Sequence, residues 1–400
     1  MSSVVASPAG APDFVRRLRR ELARRRPALL RRLGRFVRAE SPSTDKAALD
    51  RFAELLAAEC RAAGGEVRLV RQPRAGNHVL ARFAARGGVR PILMLGHYDT
   101  VYPPGSLARM PFRVRAGRAF GPGAMDMKSG LVIGLAAIEA LAALRVPLPA
   151  AVIFLTTSDE EVGSGTSRAT IERLARGCRA AFVLEPAAGL RGDLKTARKG
   201  VGEVELVVRG RAAHAGLNPE EGVNAIHELA LQIEQIRRFN DPAHGITVNA
   251  GIAEGGTRSN VIPDRARALV DVRVARAADG EELDRRFRSL QPVLPGAVLE
   301  IRGGINRPPM ERSEAGVALY HRAKALAAAL DLPLGEAAVG GGSDGNFTAA
   351  LGVATLDGLG GVGHGAHSPG EFVLVRSLAE RAALLALLLA ATGGDAADSR

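Results

Sequence analysis

The run Ala151-Val152-Ile153-Phe154-Leu155-Thr156-Thr157 carries no charge, and Ser158-Asp159-Glu160-Glu161 follows it directly. A strand with one wet face alternates polar and apolar residues. A run that does not alternate fits a strand covered on both faces. Helices supply such cover, so this stretch points to an α/β layer. Further β-type runs lie at 66–71, 78–84, 91–95 and 180–184. An apolar helix is expected at about 129–145, just before the run at 151–157. Two helices are expected ahead of the strands, near 13–39 and 44–64, punctuated by Pro27 and the turn Ser41-Pro42-Ser43.

From about residue 197 the texture changes. The stretch V-G-E-V-E-L-V-V-R-G alternates, as a half-exposed strand does. A helix near 221–238, strands near 246–252 and 266–275, a helix near 279–290 and a strand near 297–302 follow. This β-α-β-β-α-β order reads as a small ferredoxin-like unit. Mixed texture then returns and ends in an Ala/Leu helix at 375–391. Four hundred residues also exceed one ordinary core. The expected organisation is an α/β domain in two parts, 13–197 and 309–392, with an α+β domain inserted at 198–308. Residues 1–12, rich in Ser, Ala, Pro and Gly, are expected to be disordered.

The formal charge of +12 invites a nucleic-acid reading. The charge is local, however. Residues 16–38 hold eleven Arg and a single acid, Glu21, which is +10; the rest of the chain holds 43 basic and 41 acidic residues, which is +2. A single aromatic, Phe36, stands among those arginines, too little for a base-stacking surface, so no nucleic-acid partner is expected. Two readings of the segment stay open: a solvated helical face, or a contact with an anionic surface. No apolar run approaches the ~18–20 residues of a membrane helix, and the first residues lack the apolar stretch of a signal peptide. Cys60 and Cys178 lie far apart and fit two buried thiols in a reducing compartment. The expected location is cytoplasmic.

The residues that carry chemistry sit where buried runs end. Gly96-His97-Tyr98-Asp99-Thr100-Val101 follows the strand P-I-L-M-L. Side chains at the carboxyl end of a buried strand face the crevice where α/β folds place their sites. His97 and Asp99 project to one side of an extended segment, so one can bind a metal while the other orients it. A satisfied core histidine is the plainer alternative. Asp126 lies in G-P-G-A-M-D-M-K-S-G. It either caps the helix that follows or sits in backbone bent tightly around a bound group. Asp159, Glu160 and Glu161 at the mouth of a buried sheet are costly unless a cation offsets them; the alternative is a solvated acidic loop. Glu185-Pro186 ends the run at 180–184, and H-G-A-H-S-P-G-E (364–371) precedes the last helix. Imidazole and carboxylates together suit Zn²⁺, with Co²⁺ or Mn²⁺ as substitutes. The supply of ligands exceeds one tetrahedral site, so two ions ~3.5–4 Å apart are expected.

As an ordered set, G-H-Y-D-T-V, G-P-G-A-M-D-M-K-S-G, S-D-E-E-V-G-S, L-E-P, A-H-A-G, S-N-V-I-P, D-V-R, G-G-G-S-D-G and A-H-S-P-G-E resembles the zinc aminoacylase/carboxypeptidase family over roughly residues 30–392. That family includes acetylornithine deacetylase, succinyl-diaminopimelate desuccinylase and bacterial glutamate carboxypeptidase. The resemblance implies a mixed-sheet di-zinc exopeptidase-type catalytic domain, with the inserted ferredoxin-like domain as lid and dimerisation domain. It implies two Zn²⁺ per subunit, bridged by Asp126. His97 and Glu185 would complete one site, Glu161 and His367 the other, with His364 the second candidate in that loop. Glu160 would be the general base and Asp99 the hydrogen-bond partner of His97. The peptide bond after Asp126 would be cis. His214, in A-H-A-G, would donate to the oxyanion, and in relatives it reaches into the partner subunit's site. A homodimer is therefore expected.

The same resemblance places Asn260, Arg273 and Arg307 on a substrate carboxylate, for which an Arg fork is suited; Arg307 is alternatively a linker residue. Gly341, in G-G-G-S-D-G, would let backbone approach the substrate closely. A water shared by two cations ionises near neutrality, and Glu160 would take its proton and pass it to the leaving amine. The implied reaction cuts the amide next to a free C-terminal carboxylate in a small peptide. I-N-R-P-P-M and G-G-G-S-D-G tilt the reading toward the glutamate carboxypeptidase branch, with release of glutamate. Removal of an acyl group from an N-acyl amino acid is the second reading. A binding protein on a basic tether is a third, and the intact Glu160 argues against it.

Overall fold

The computed structural model describes residues 11–85 and 88–392. The disorder expected for residues 1–12 falls almost wholly outside them. The chain divides into two compact units, Met1–Thr196 with Arg312–Ala338 and Ser343–Arg400, and Ala197–Glu311 with Val339–Gly342.

The first unit opens with one helix, Pro12–Arg38. Pro27 lies inside this helix rather than at its end, and its residue is exposed. An interior proline costs ~3 kcal/mol. Leu22 and Leu29, about two turns apart and so both on the buried side, hold the helix against the core on either side of it. Each contributes on the order of 1.5–3 kcal/mol through burial. The arginine-rich segment is thus a core helix, not a detached basic arm. Its guanidinium groups reach neighbouring helices. Arg32 binds Glu139 at 2.6 Å and Glu59 at 2.7 Å, Arg25 reaches Glu139, and Arg35 pairs with Glu59. Glu59 lies on the helix Lys46–Ala62 and Glu139 on Ser129–Ala143. Part of the expected solvated face is therefore engaged in bonds between helices.

The main sheet of this unit runs in the order Glu66–Val70, His78–Phe83, Val152–Thr157, Ile92–His97, Ala180–Val183, Ala354–Leu356. Its first two pairings are antiparallel and the other three parallel, so it is a mixed sheet. Every residue of Ile92–His97 and Val152–Thr157 is buried, as the unbroken apolar runs require. A second sheet joins four strands of two or three residues, between Arg113 and Leu374. Strands that short carry no readable periodicity, and the sequence does not announce them. Cys60 and Cys178 are both buried and free. Among the described residues no helix is long and apolar enough to cross a membrane.

The second unit has the order strand Gly200–Arg209, helix Ala225–Arg237, strands Thr247–Gly255 and Arg265–Val274, helix Ala277–Arg288, strand Val298–Arg307. The strands form one antiparallel sheet, with 265–274 and 200–209 in the middle. Alternation buries Val204, Leu206 and Val208 with Ala266, Ala268 and Val270 beside Leu229, Leu283 and Phe287 of the helices. Val339–Gly342, expected to continue the stretch 309–392, groups here instead. Arg198 Nη1 donates to the carbonyls of Gly341 and Gly342, each at 3.0 Å, and Lys199 N donates to Val339 O.

Candidate active site

Register creates the site in the first unit. His97 lies level with Thr157, and Leu95 level with Val183. Three parallel strands therefore end along one edge, and whatever follows them in sequence meets there. His97 and Asp99 end the first, Glu160 and Glu161 follow the second in a short turn, and Glu185 follows the third. Asp126 comes from the loop before the helix Ser129–Ala143, and His367 from the loop between Gly363–His364 and Phe372–Leu374.

Distances sort these side chains into two groups about one carboxylate. His97 Nε2 is 3.3 Å from Asp126 Oδ1 and 3.3 Å from Glu185 Oε1. His367 Nε2 is 3.5 Å from Asp126 Oδ2 and 3.1 Å from Glu161 Oε2. Asp126 shows one oxygen to each imidazole. Ligands held at ~2.0–2.1 Å around a tetrahedral ion lie about 3.3 Å from one another. Charge-assisted hydrogen bonds are shorter, ~2.7–2.9 Å. The spacings thus match ligand edges better than hydrogen bonds. Asp126 Oδ1 is moreover buried and has no hydrogen-bond partner among the described residues. A cation would satisfy it, and the residues fit a pair of divalent ions with Asp126 shared between them. No side chain caps the helix Ser129–Ala143, so the capping alternative for Asp126 falls away. The Asp126–Met127 peptide bond is cis.

The crowding of charge is visible in the protonation of the metal-free site. Burial disfavours charge on His97, but Asp126, Asp99 and Glu185 outweigh it and raise the imidazole well above its ordinary range. Asp126, with help from Glu161, pushes His367 up to about 10. Asp126 itself is held below the usual carboxylate range: burial opposes its charge, and the two imidazoles prevail. Burial raises Glu161, and His367 pulls it only part of the way back.

Asp99 ties the strand ends together. Its Oδ1 accepts the Glu160 N–H and its Oδ2 the Glu161 N–H, both at 3.2 Å, and Ser43 Oγ donates to Oδ2 at 2.8 Å. Its Oδ1 is also 3.4 Å from His97 Nδ1. Glu160 is buried, and its charge acts on His97. The third acid of the run, Asp159, turns away. It accepts from the Thr166 N–H, the Thr166 hydroxyl and the Ser167 N–H, and so fixes its own loop. Of the two histidines in the terminal loop, His367 faces Asp126 and Glu161. His364 ends a strand, its ring 6.5 Å from that of Phe372. Sequence alone does not single out Ser43 or Glu371, whose contacts come from segments distant in the chain. Glu371 had one signal, its place at the end of A-H-S-P-G-E.

The second unit holds the other candidates in two groups. His214 is exposed, and its Nδ1 accepts the N–H groups of Gly216 and Leu217 at 3.1 Å. A neutral ring so held carries its proton on Nε2, as a free-facing donor. The Asn260 carbonyl accepts from Ala215 N, which sets Asn260 beside His214. Arg273 and Arg307 both pair with Val201, from opposite sides of the central strand. They share a face of the sheet, about 10 Å apart at the backbone. The Arg273 guanidinium is gripped in fork fashion by Asp271 at 2.8–2.9 Å. Arg307 is buried at the end of its strand, which removes the linker alternative. Packing requires glycine at 342, where a Cβ would lie 2.8 Å from Val201, whereas a Cβ at Gly341 would meet nothing within 4 Å.

The profile of Peptidase family M20/M25/M40 matches residues 93–391. Carboxypeptidase G2 of Pseudomonas sp. (strain RS-16) is 31% identical over 369 residues, covering 91% of this chain and 89% of that protein. Succinyl-diaminopimelate desuccinylase of Paracoccus denitrificans (strain Pd 1222) is 33% identical over 274 residues, 64% of this chain and 69% of that protein. Among solved structures, the aminopeptidase PepT of Bacillus cereus ATCC 10987 superposes with a TM-score of 0.72 at 22% identity, over 92% of this chain and 98% of that one.

Proposed function

The chain belongs to peptidase family M20/M25/M40, and from that premise we propose that it is a di-zinc carboxypeptidase that cuts the amide bond next to a free C-terminal carboxylate. One observation carries the reading: two imidazoles face opposite oxygens of Asp126, each with a further carboxylate beside it. His97, Asp126 and Glu185 would hold one ion, and His367, Asp126 and Glu161 the other. Bound ions polarise the scissile carbonyl and make water nucleophilic at neutral pH. Glu160 takes the proton of the attacking water and hands it to the leaving nitrogen. Asp99 orients His97 and the turn that carries Glu160 and Glu161. His214 donates from Nε2 to the oxygen that becomes negative. Asn260, Arg273 and Arg307 receive the substrate carboxylate, and Gly341 leaves room beside it. The 31% identity to carboxypeptidase G2 supports a carboxypeptidase; glutamate as the released residue rests on the motif resemblance alone.

Chelation is expected to abolish turnover and Zn²⁺ to restore it. Refilling should release protons near pH 7.5, because both imidazoles are protonated without metal and only neutral imidazole ligates. Full hydrolysis by the metal-free protein would sink the proposal. The likeness to succinyl-diaminopimelate desuccinylase favours N-acyl-amino-acid deacylation as a second reading. A panel of peptides ending in Glu against N-acyl amino acids with varied acyl groups separates the two. A carboxypeptidase is strict about the released residue, a deacylase about the acyl group.

The second unit is expected to join two subunits. It exposes Leu217, Ile226, Leu231 and Ile252, and its edge strand Thr247–Gly255 has one unpaired side. If His214 serves the partner subunit, mixing Glu160→Gln subunits with His214→Ala subunits restores activity, since one site per hybrid is intact. Inactive hybrids would place His214 in its own subunit's site, and a monomer in solution would refute the dimer.

A further inference from the structure

Glu371 is fully buried, four residues after His367. A carboxylate in such a place is costly unless its oxygens are met. They are met almost entirely by one other loop. Oε1 accepts the N–H groups of Met125 at 2.7 Å and Asp126 at 3.0 Å. Oε2 accepts the N–H of Gly123 at 3.1 Å and the hydroxyl of Tyr102 at 2.5 Å. The backbone around Gly123 bends so that three amides converge, the kind of nest that holds an anion. Ser368 O, in the His367 loop, lies 3.0 Å from the same Tyr102 hydroxyl.

The clip therefore joins two loops that sequence keeps far apart. One carries Asp126, the other His367, and those two side chains face each other at 3.5 Å. Glu371 touches neither side chain. It binds the amide of Asp126 and belongs to the turn that presents His367 in a left-handed backbone conformation, φ 61°. Such a conformation costs on the order of 1–3 kcal/mol in a non-glycine residue and persists only where surroundings impose it. The other set has supports that Glu371 does not touch: His97 stands at its strand end and is held by Asp99 through its Nδ1.

We propose that Glu371 is the positioning residue for the His367–Asp126–Glu161 ion set, fixing both loops that build it while leaving the His97–Asp126–Glu185 set to other supports. This rests on the two-ion reading above. Outer groups of this kind typically change metal affinity 10–100-fold. The full-length metal-free protein and its Glu371→Gln form are titrated with Zn²⁺ against a chromophoric chelator, and thermal unfolding of both metal-free forms is recorded alongside. Gln keeps the shape but offers one acceptor oxygen where the carboxylate offers two. The expected result is unequal weakening: the ion of the His367 set, which loses the support of both its loops, held 10–100-fold more weakly, and the ion of the His97 set, which shares only Asp126 with it, weakened by a smaller factor. Tyr102→Phe, which removes one of four donors, should weaken the ion of the His367 set by a smaller factor, and it decides the matter if Glu371→Gln fails to fold. Equal weakening of both ions, or a lowered melting temperature with both affinities unchanged, overturns the proposal. Fewer than two ions in the unsubstituted protein overturns the two-ion reading itself, and this proposal with it.

Discussion

Glu160→Gln is expected to lower kcat by about 10²–10⁴-fold, the usual worth of a positioned general base, while the protein keeps both metal ions. That is roughly 3–5 kcal/mol of transition-state stabilisation. The amide matches the carboxylate in size but cannot accept the proton of water. The bonds that place this turn run from the backbone N–H groups of Glu160 and Glu161 to Asp99, so the substitution leaves them intact. The discriminating measurement is kcat beside bound zinc per subunit. Retained turnover removes Glu160 as base; lost zinc makes it a ligand instead.

A larger effect is expected for Asp126→Ala, because its two oxygens face the two imidazoles and would serve both proposed ions. Removing them leaves each set with one imidazole and one carboxylate, two protein ligands where a stable site needs three or four. The protein should emerge from dialysis with no tightly held zinc and no measurable turnover. Glu185→Ala and Glu161→Ala should each lose one ion only. Two ions retained by Asp126→Ala would show that this carboxylate is not shared. The contrast between none and one is the signature of a bridging ligand, which no single substitution gives alone.

The parts legible in sequence were those set by short stretches. The strands at Ile92–His97, Val152–Thr157 and Ala180–Val183 were readable because their apolar runs are unbroken. The helix Val375–Ala391 and the strand and helix order of the second unit followed from composition and alternation. The helix expected at 13–39 does run through Pro27, and it is the buried leucines on both sides that carry it there. Other features were not readable, for physical reasons. The arginines of that helix looked like solvated charge, yet Glu59 and Glu139, distant in sequence, pair with several of them. Asp159 looked equivalent to its neighbours Glu160 and Glu161, and only the fold shows it bound to Thr166 and Ser167.

The two-ion character was present in the sequence as a surplus of His, Asp and Glu at successive strand ends. Local order determines that much, since each strand ends where its own apolar run ends. Which oxygen faces which imidazole is a matter of register and loop closure. The level pairing of His97 with Thr157 and of Leu95 with Val183 brings three strand ends to one edge. The loop closed by Glu371 brings His367, and not His364, to the Oδ2 of Asp126. Residues 241 positions apart have no local means of choosing each other, so that choice belonged to the tertiary structure alone.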